Sequence, residues 1–402
     1  MPYQTTVPAT FTLDDFYNVA AGAAVLGSGG GGSYADAQQL LAQLGALPKF
    51  GVPVAPYKGG VNACVLAMMG SPDAGEQMQL ADVQAAIANT LAAYTRATGQ
   101  GVACAVPVEI GPLNSLVPLI AAVMNPGMWV ADGDGAGRAV PQLVETTYSG
   151  GAAGLGVSPV AIGNQASVAA HIQSTVLNVA STAQAEDLAR GIISSTFGSI
   201  AGFAGWPSNS SNDYALAASI IPGTLSQAWI LGNFMRNSGA KPNAQDIAAC
   251  IQGISGRPAS VVLDNVYITD VAQSTAGGFD GGIVRLDSAP VPLAGAASSY
   301  LYNLNESLIL YSSASSAPQI VAPDSICYYS STTGCGFSNS ADDLAQYWTR
   351  GANKDGSKDN PPVPVSVIRV GAAPALVAAA GVMDAFAAVL RKIGYAGALP
   401  SD

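Results

Sequence analysis

The segment from Glu109 to Pro141, EIGPLNSLVPLIAAVMNPGMWVADGDGAGRAVP, constrains the fold more than any other stretch. An apolar, strand-like run from Val102 to Val108 closes on Glu109. A helix-like segment opened by Pro112 runs to Met124, and a second apolar run, Met128 to Ala131, ends on Asp132, Gly133 and Asp134. Strand, helix, strand in this order builds a parallel pair, and ligands of parallel sheets gather beyond the carboxyl ends of the strands. Glu109, Asp132, Asp134 and Arg138 are therefore expected to converge along one sheet edge.

The flanking pattern extends that unit. Thr12 is placed to cap a helix with the apolar stripe Leu13, Phe16, Val19, Ala23 and Leu26, with Asp14 and Asp15 in its first turn. GSGGGGS, Gly27 to Ser33, stops it, and a second helix spans Tyr34 to Leu44. Ala63 to Met69 reads as a buried strand, Leu80 to Ala97 as a helix and Gly101 to Val108 as a strand. The fold class that follows is α/β: a mostly parallel N-terminal α/β domain over residues 1–165, carrying the glycine-rich loop and the DGDG motif. A C-terminal β-rich α+β domain over 166–402 ends in a returning helix. The Gly, Ser and Asn texture of residues 149–164 marks the change. Helices are expected from Ser181 or Thr182, over Pro222 to Arg236 and over Asn243 to Ile254. From Ser260 the short runs VVLDNVYITDV, GGIVRLDS, SYLYNLNESLILYS and APQIVAPDSICYYS read as antiparallel strands. TRGANKDGSKDNPP, Thr349 to Pro362, reads as a surface loop, and Ala372 to Lys392 as one amphipathic helix.

Composition narrows the partners. At 402 residues two domains are the natural expectation. A net charge of -11 with only 15 Lys and Arg argues against nucleic acid, whose binding needs clustered cations. The start carries no basic, then apolar leader, and charges or Asn-Pro-Gly interrupt every long apolar run, so no membrane span is expected. Cys64, Cys104, Cys250, Cys327 and Cys335 are odd in number and lack CxxC spacing, which fits reduced thiols and a cytoplasmic location; Cys327 and Cys335 could meet across a hairpin. With only 10% charged residues and 49% hydrophobic ones, the chain is expected to form a homo-oligomer.

Three motifs carry chemistry. Gly27, Gly29 and Gly32 match GxGxxG formally, but they follow a helix rather than a strand, so the dinucleotide context is missing. The successive glycines Gly29, Gly30, Gly31 and Gly32 would instead turn backbone N–H groups toward an anion such as a substrate carboxylate at the start of the Tyr34 helix; a helix-helix turn kept glycine-rich for packing is the competing account. DGDGAGR, Asp132 to Arg138, sets two carboxylates beside an Arg, so one can pair while the other stays free as a base or metal ligand; a loop whose Asp side chains bond local backbone is the alternative. Asn114 and Asn62 stand at strand-helix junctions, where they could bond a polar heterocycle or cap turns. His171 is the only histidine and no zinc-triad spacing exists, so a divalent metal such as zinc would lean on carboxylates with His171 or a cysteine. No GxSxG elbow is present.

LDDFYNVAAGAAVLGSGGGGSYADAQQLL (Leu13 to Leu41), VEIGPLNSLVPLIAA (Val108 to Ala122) and ADGDGAGRAVPQLVETTY (Ala131 to Tyr148) resemble the S-methyl-thiohydantoin desulfurase family, associated with hydantoinase and oxoprolinase proteins. AEDLARGIISSTFG, IPGTLSQAWILG and GGFDGGIVRLD extend the likeness more weakly through the second half. The resemblance implies two domains and a hydrolase acting on a five-membered hydantoin-like ring, in which water replaces a methylthio group and methanethiol leaves. The family's motif residues carried onto this chain are Gly29 to Gly32, Glu109, Asn114, Asp132, Asp134, Gly137 and Arg138. The chain departs from the patterns GTGGGGDP, EIGGLNA and DGDGMGRAFPE at Ser28, Ser33, Tyr34, Pro112, Ala136, Val140 and Gln142, and so lacks an acid at Ser33 and at Gln142. The mechanism expected from the residues gives Asp134, or alternatively Asp132, the role of general base. Glu109 is the general acid, and Arg138 holds a substrate carboxylate or balances the free Asp. A metal-dependent cyclic amide hydrolase and a non-catalytic ligand-binding member are the alternatives.

Overall fold

The computed structural model describes residues 3–70, 78–150, 154–166, 173–208, 213–276, 278–349 and 361–400. His171 and residues 350–360 of the polar segment lie outside the described residues. From the N-terminus, β1 (Thr10–Phe11) leads into α1 (Leu13–Leu26), and α2 (Tyr34–Leu44) follows the glycine loop. Then come β2 (Val52–Ala55), β3 (Ala63–Gly70), α3 (Leu80–Thr98), β4 (Cys104–Pro107), α4 (Leu116–Met124), β5 (Trp129–Ala131), β6 (Gly133–Asp134), β7 (Val160–Gly163), β8 (Ser174–Leu177), α5 (Thr182–Thr196) and β9 (Ile200–Gly205). The chain continues through α6 (Asp213–Ser219), β10 (Ile221–Pro222), α7 (Thr224–Asn237) and α8 (Ala244–Ser255).

Eight strands form one sheet in the order β1-β2-β5-β4-β3-β9-β7-β8. Its centre, β2, β5, β4 and β3, is parallel, and β1 and the β9-β7-β8 group flank it antiparallel. The parallel centre arises from the two β-α-β units that the apolar runs encode. Alternation along β3 serves both faces: Cys64, Leu66 and Met68 join the core with α1, α3 and α4, while Val65, Ala67 and Met69 join the core with α5. Few bulky side chains are needed because helices approach closely. A Cβ on Gly22 would lie 1.9 Å from the carbonyl oxygen of Ala228, and one on Gly232 1.8 Å from that of Asn18, so α1 and α7 cross backbone to backbone.

The C-terminal part is β11 (Ala259–Ala276), β12 (Phe279–Asp287), β13 (Ser299–Leu304), β14 (Glu306–Ser312), β15 (Ile320–Val321), β16 (Ser325–Tyr329), α9 (Ala341–Ala345), β17 (Val365–Val370), α10 (Pro374–Ala378) and α11 (Val382–Lys392). Its seven strands form an antiparallel sheet, β15-β14-β13-β12-β11-β17-β16. The α/β class with a β-rich C-terminal part is therefore the observed architecture.

Three local expectations change. The helix after Glu109 starts at Leu116, not at Pro112, because residues 112–115 turn so that the N–H groups of Leu113 and Asn114 both reach the Gly31 carbonyl at 3.0 Å. The C-terminal helix is two helices, separated by Gly381 in the left-handed region. Cys327 and Cys335 do not meet: Cys327 faces Ile368 across β16 and β17, Cys335 pairs with Ser330, and all five cysteines are free.

Candidate functional site

A cleft open to solvent lies beyond the carboxyl ends of β3 and β4. Its floor is Ala67 to Gly70, its walls are Gly31, Gly32 and Ser33 on one side and Glu109, Leu113 and Asn114 on another, and Asn305 and Glu306 close it from the C-terminal sheet. Arg190 and Glu186 stand at the far rim.

Glu109 sits where β4 ends, and both its oxygens are engaged: Asn114 Nδ2 donates to Oε1 at 2.7 Å and the Val140 N–H to Oε2 at 2.8 Å. Asn114 is itself fixed, since its Oδ1 accepts the Met68 N–H at 3.0 Å. Burial pushes the Glu109 carboxyl up to about 7, and the two hydrogen bonds hold it down against that trend. Glu306 was not found by reading the sequence, where it is one polar position inside a strand-rich run. It is buried, its Oε2 has no hydrogen-bond partner among the described residues, and burial followed by the nearby Glu109 charge raises its pKa well above the carboxylate range. The two cleft carboxyls therefore stand in unlike environments, Glu109 bonded on both oxygens and Glu306 with one oxygen unpartnered among the described residues.

The DGDG segment lies behind this wall. Asp132 receives the Ser226 N–H at 2.9 Å and the Ser226 hydroxyl at 2.6 Å, capping the start of α7. Asp134 is fully buried in the two-stranded β6-β10 pair; its Oδ1 accepts the N–H groups of Ala136 and Gly137, both at 2.6 Å. Burial raises it to about 7, partly offset by those bonds, and its Oδ2 has no hydrogen-bond partner among the described residues. Arg138, also fully buried, donates to the carbonyls of Ala139 (2.8 Å), Pro323 (3.1 Å), Asp324 (2.8 Å) and Ser307 (2.9 Å), and so ties the motif to β14 and the start of β16. Asp134 and Arg138 stand close enough to Glu109 for the first to raise and the second to lower its pKa. Of these four residues, only Glu109 lines the cleft.

The glycine loop divides in the same way. Gly29 and Gly30 face the C-terminal sheet: a Cβ on Gly29 would meet Asn339 Nδ2 at 2.4 Å, and one on Gly30 the Glu306 Oε1 at 2.1 Å. Gly31 and Gly32 border the cleft and pack on Gly111 and Leu113. The start of α2 already holds a carboxylate, because Asp343 accepts the Tyr34 N–H at 2.9 Å and the Ala35 N–H at 3.0 Å. A substrate anion expected at that helix end meets an occupant supplied by the chain itself.

Comparison with known proteins adds a family to this geometry. The model of the S-Me-THD-like N-terminal domain matches residues 14–174, and that of the S-Me-THD-like C-terminal domain matches residues 180–341. The chain belongs to the S-Me-THD-like family. A crystal structure of a protein from Chromobacterium violaceum is similar at a TM-score of 0.77 and 26% identity, covering 97% of this chain and 99% of that one. No curated protein matches it in sequence.

In this S-Me-THD-like chain the cleft draws on both matched segments, Glu109 from the first and Glu186, Arg190 and Glu306 from the second. Arg190 is the one cation lining it among the described residues. Arg190 pairs with Glu186, donates to the carbonyls of Gly278 at 2.7 Å and Pro141 at 2.8 Å, and stacks 3.8 Å over the Phe279 ring. Its i, i+4 spacing to Glu186 on a helix was the one signal for it in the sequence. Among the described residues no group of three His, Cys, Asp or Glu side chains is arranged to hold a metal ion, and no helix is long and apolar enough to cross a membrane. Asn62 lies away from the cleft, its carbonyl accepting the Ala103 and Cys104 N–H groups.

Proposed function

We propose that this chain is a hydrolase of a five-membered hydantoin-like ring, removing methanethiol from an S-methyl-thiohydantoin. The observation that carries the reading is the pair of cleft carboxyls with unlike environments, Glu109 bonded on both oxygens and raised by burial to about 7, Glu306 with Oε2 unpartnered among the described residues and its pKa raised further by burial and by Glu109. The family, whose name points to S-methyl-thiohydantoins, supplies the substrate class.

The Glu109 carboxylate takes a proton from a water molecule as its oxygen bonds to the ring carbon that bears sulfur. The C=N electron pair moves onto the ring nitrogen, then returns as the C–S bond breaks. Glu306 gives its proton to the departing methanethiolate, and the Glu109 proton passes through solvent to restore Glu306. The ring carbon keeps the hydroxyl oxygen, and the iminol tautomerises to the hydantoin. General acid-base help of this kind contributes about 10²- to 10⁴-fold. Asp134 and Arg138 act as positioning residues through the Glu109 wall.

The test is to incubate the purified chain with a panel of hydantoins, thiohydantoins and S-methyl-thiohydantoins, with and without zinc, following thiol release colorimetrically and products by mass. Stoichiometric methanethiol and hydantoin are expected from the S-methyl ring without added metal. Ring opening of hydantoins with no thiol released would overturn the reading in favour of a cyclic amide hydrolase.

A further inference from the structure

We infer that the consecutive backbone N–H groups of Gly31, Gly32 and Ser33 form a cradle for the substrate's ring carbonyl oxygen, where negative charge accumulates during attack. The inference rests on the proposed ring hydrolysis and adds to it a binding element made of main chain.

Hydrogen-bond accounting singles out the site. Gly30 donates to the Gly27 carbonyl, Tyr34 and Ala35 donate to Asp343, and Asp36 donates to the Ser33 hydroxyl. The three N–H groups between them, on residues that border the cleft, donate to no acceptor among the described residues. Gly31 and Ser33 are buried and Gly32 is half-buried between them, and because buried backbone donors are nearly always paired, this run beside a cleft calls for an acceptor from outside the chain. A second observation points the same way: Glu306, on the same cleft, is only 3% exposed, and its Oε2 also lacks a partner. The loop is held rigid from behind. Its Gly31 carbonyl takes two N–H groups from the EIGPLN segment, and a Cβ on Gly31 would stand 2.4 Å from the Gly111 Cα.

Chemistry chooses the occupant. In an S-methyl-thiohydantoin the C=N bond under attack is conjugated through nitrogen to a ring carbonyl. When water adds, the displaced electron pair spreads from that nitrogen onto the carbonyl oxygen, which becomes the anionic end of an imidate. Donors fixed before reaction stabilise such charge without reorganising. Asp343 fills the two N–H groups inside α2, which confines the cradle to the three that precede them.

Ser33 permits a test on one donor, because its φ of −71° and ψ of 139° suit proline, which has no N–H. Ser33→Pro is compared with Ser33→Ala, which also loses the hydroxyl bonded to Asp342 and the Asp36 N–H but keeps the amide. On the S-methyl-thiohydantoin, kcat of Ser33→Pro should fall about 10²-fold below that of Ser33→Ala. On 2-(methylthio)-2-imidazoline, the same reacting carbon without the carbonyl, the two variants should turn over alike. An equal gap on both rings overturns the cradle. Should Ser33→Pro not fold by circular dichroism, the wild-type chain decides by calorimetry: hydantoin should bind at least tenfold tighter than 2-imidazolidinone, and equal affinities overturn the inference. That binding arm stands even if no methylthio ring is turned over, so it fails separately from the proposed reaction.

Discussion

The DGDG turn and the cleft wall are both rich in buried carboxyls, yet they differ in whether those carboxyls reach the cleft. In the turn, Asp132 is paired on both oxygens by Ser226, and Asp134 closes a tight loop over two backbone N–H groups with its Oδ1 and keeps Oδ2 without a partner among the described residues, but neither residue lines the cleft. On the wall, Glu109 faces a cavity between two donors and Glu306 keeps one oxygen without a partner. The contrast teaches that acids clustered in sequence can build a scaffold, while the acids that line the cleft come from strand ends almost two hundred positions apart.

Substitutions that isolate one region from the other sharpen the contrast. Glu109→Gln should lower kcat/KM by about 10²- to 10⁴-fold, and in the wild type kcat/KM should rise with pH through about 7 as Glu109 ionises. Asp134→Asn, which keeps an acceptor for Ala136 and Gly137, should cost much less; equal losses in steady-state assays would erase the distinction between turn and wall.

Gly30→Ala comes next. The added methyl must displace the Glu306 carboxyl, so kcat should drop about tenfold or more through the general acid while circular dichroism stays native. An unaltered kcat would remove Glu306 from the chemistry.

Proton linkage gives a smaller, graded effect. Glu109 and the buried Glu145, which accepts the Gln142 N–H just beyond the DGDG turn, rise from 4.5 to about 7 and 8, and Asp134 from 3.8 to about 7, all chiefly by burial. Folded-state values above the unfolded ones mean that the native chain binds more protons between them. This contribution to stability is complete below about pH 4 and is lost as pH rises through 7 to 8. Urea midpoints should therefore fall from pH 5 to pH 8, and less steeply in Glu145→Gln. The smallest effect is expected of Asp132→Ala, which removes the cap on α7 and should cost about 1 kcal/mol in urea melts, leaving turnover close to wild type.

Much of the N-terminal half was legible because its information is local. The stripe of α1, the proline and glycine punctuation and the strand runs that end in acids all lie within one or two turns of the structure they specify, and they put Glu109 at the end of a parallel strand and Asn114 at the junction that follows. What escaped is nonlocal. Glu306 gains its raised pKa from burial in the folded chain and then from Glu109, and Asp343 fills the end of a helix that begins at Tyr34, more than three hundred positions earlier. No periodicity encodes such partners. Arg138 shows the same limit: an Arg after two Asp residues invites an ion pair, but the folded chain sets it among four carbonyl oxygens.

The crossing of α1 and α7 carries one further consequence. These helices come from different halves of the family match, and they touch with nothing thicker than a hydrogen atom between their main chains at Gly22 and Gly232. Such a joint cannot be loosened by trimming side chains or rebuilt by a stand-in helix of ordinary composition. The two halves are thus poor candidates for separate expression or for exchange between relatives, and genetic shuffling would be expected to move them only as a single cassette.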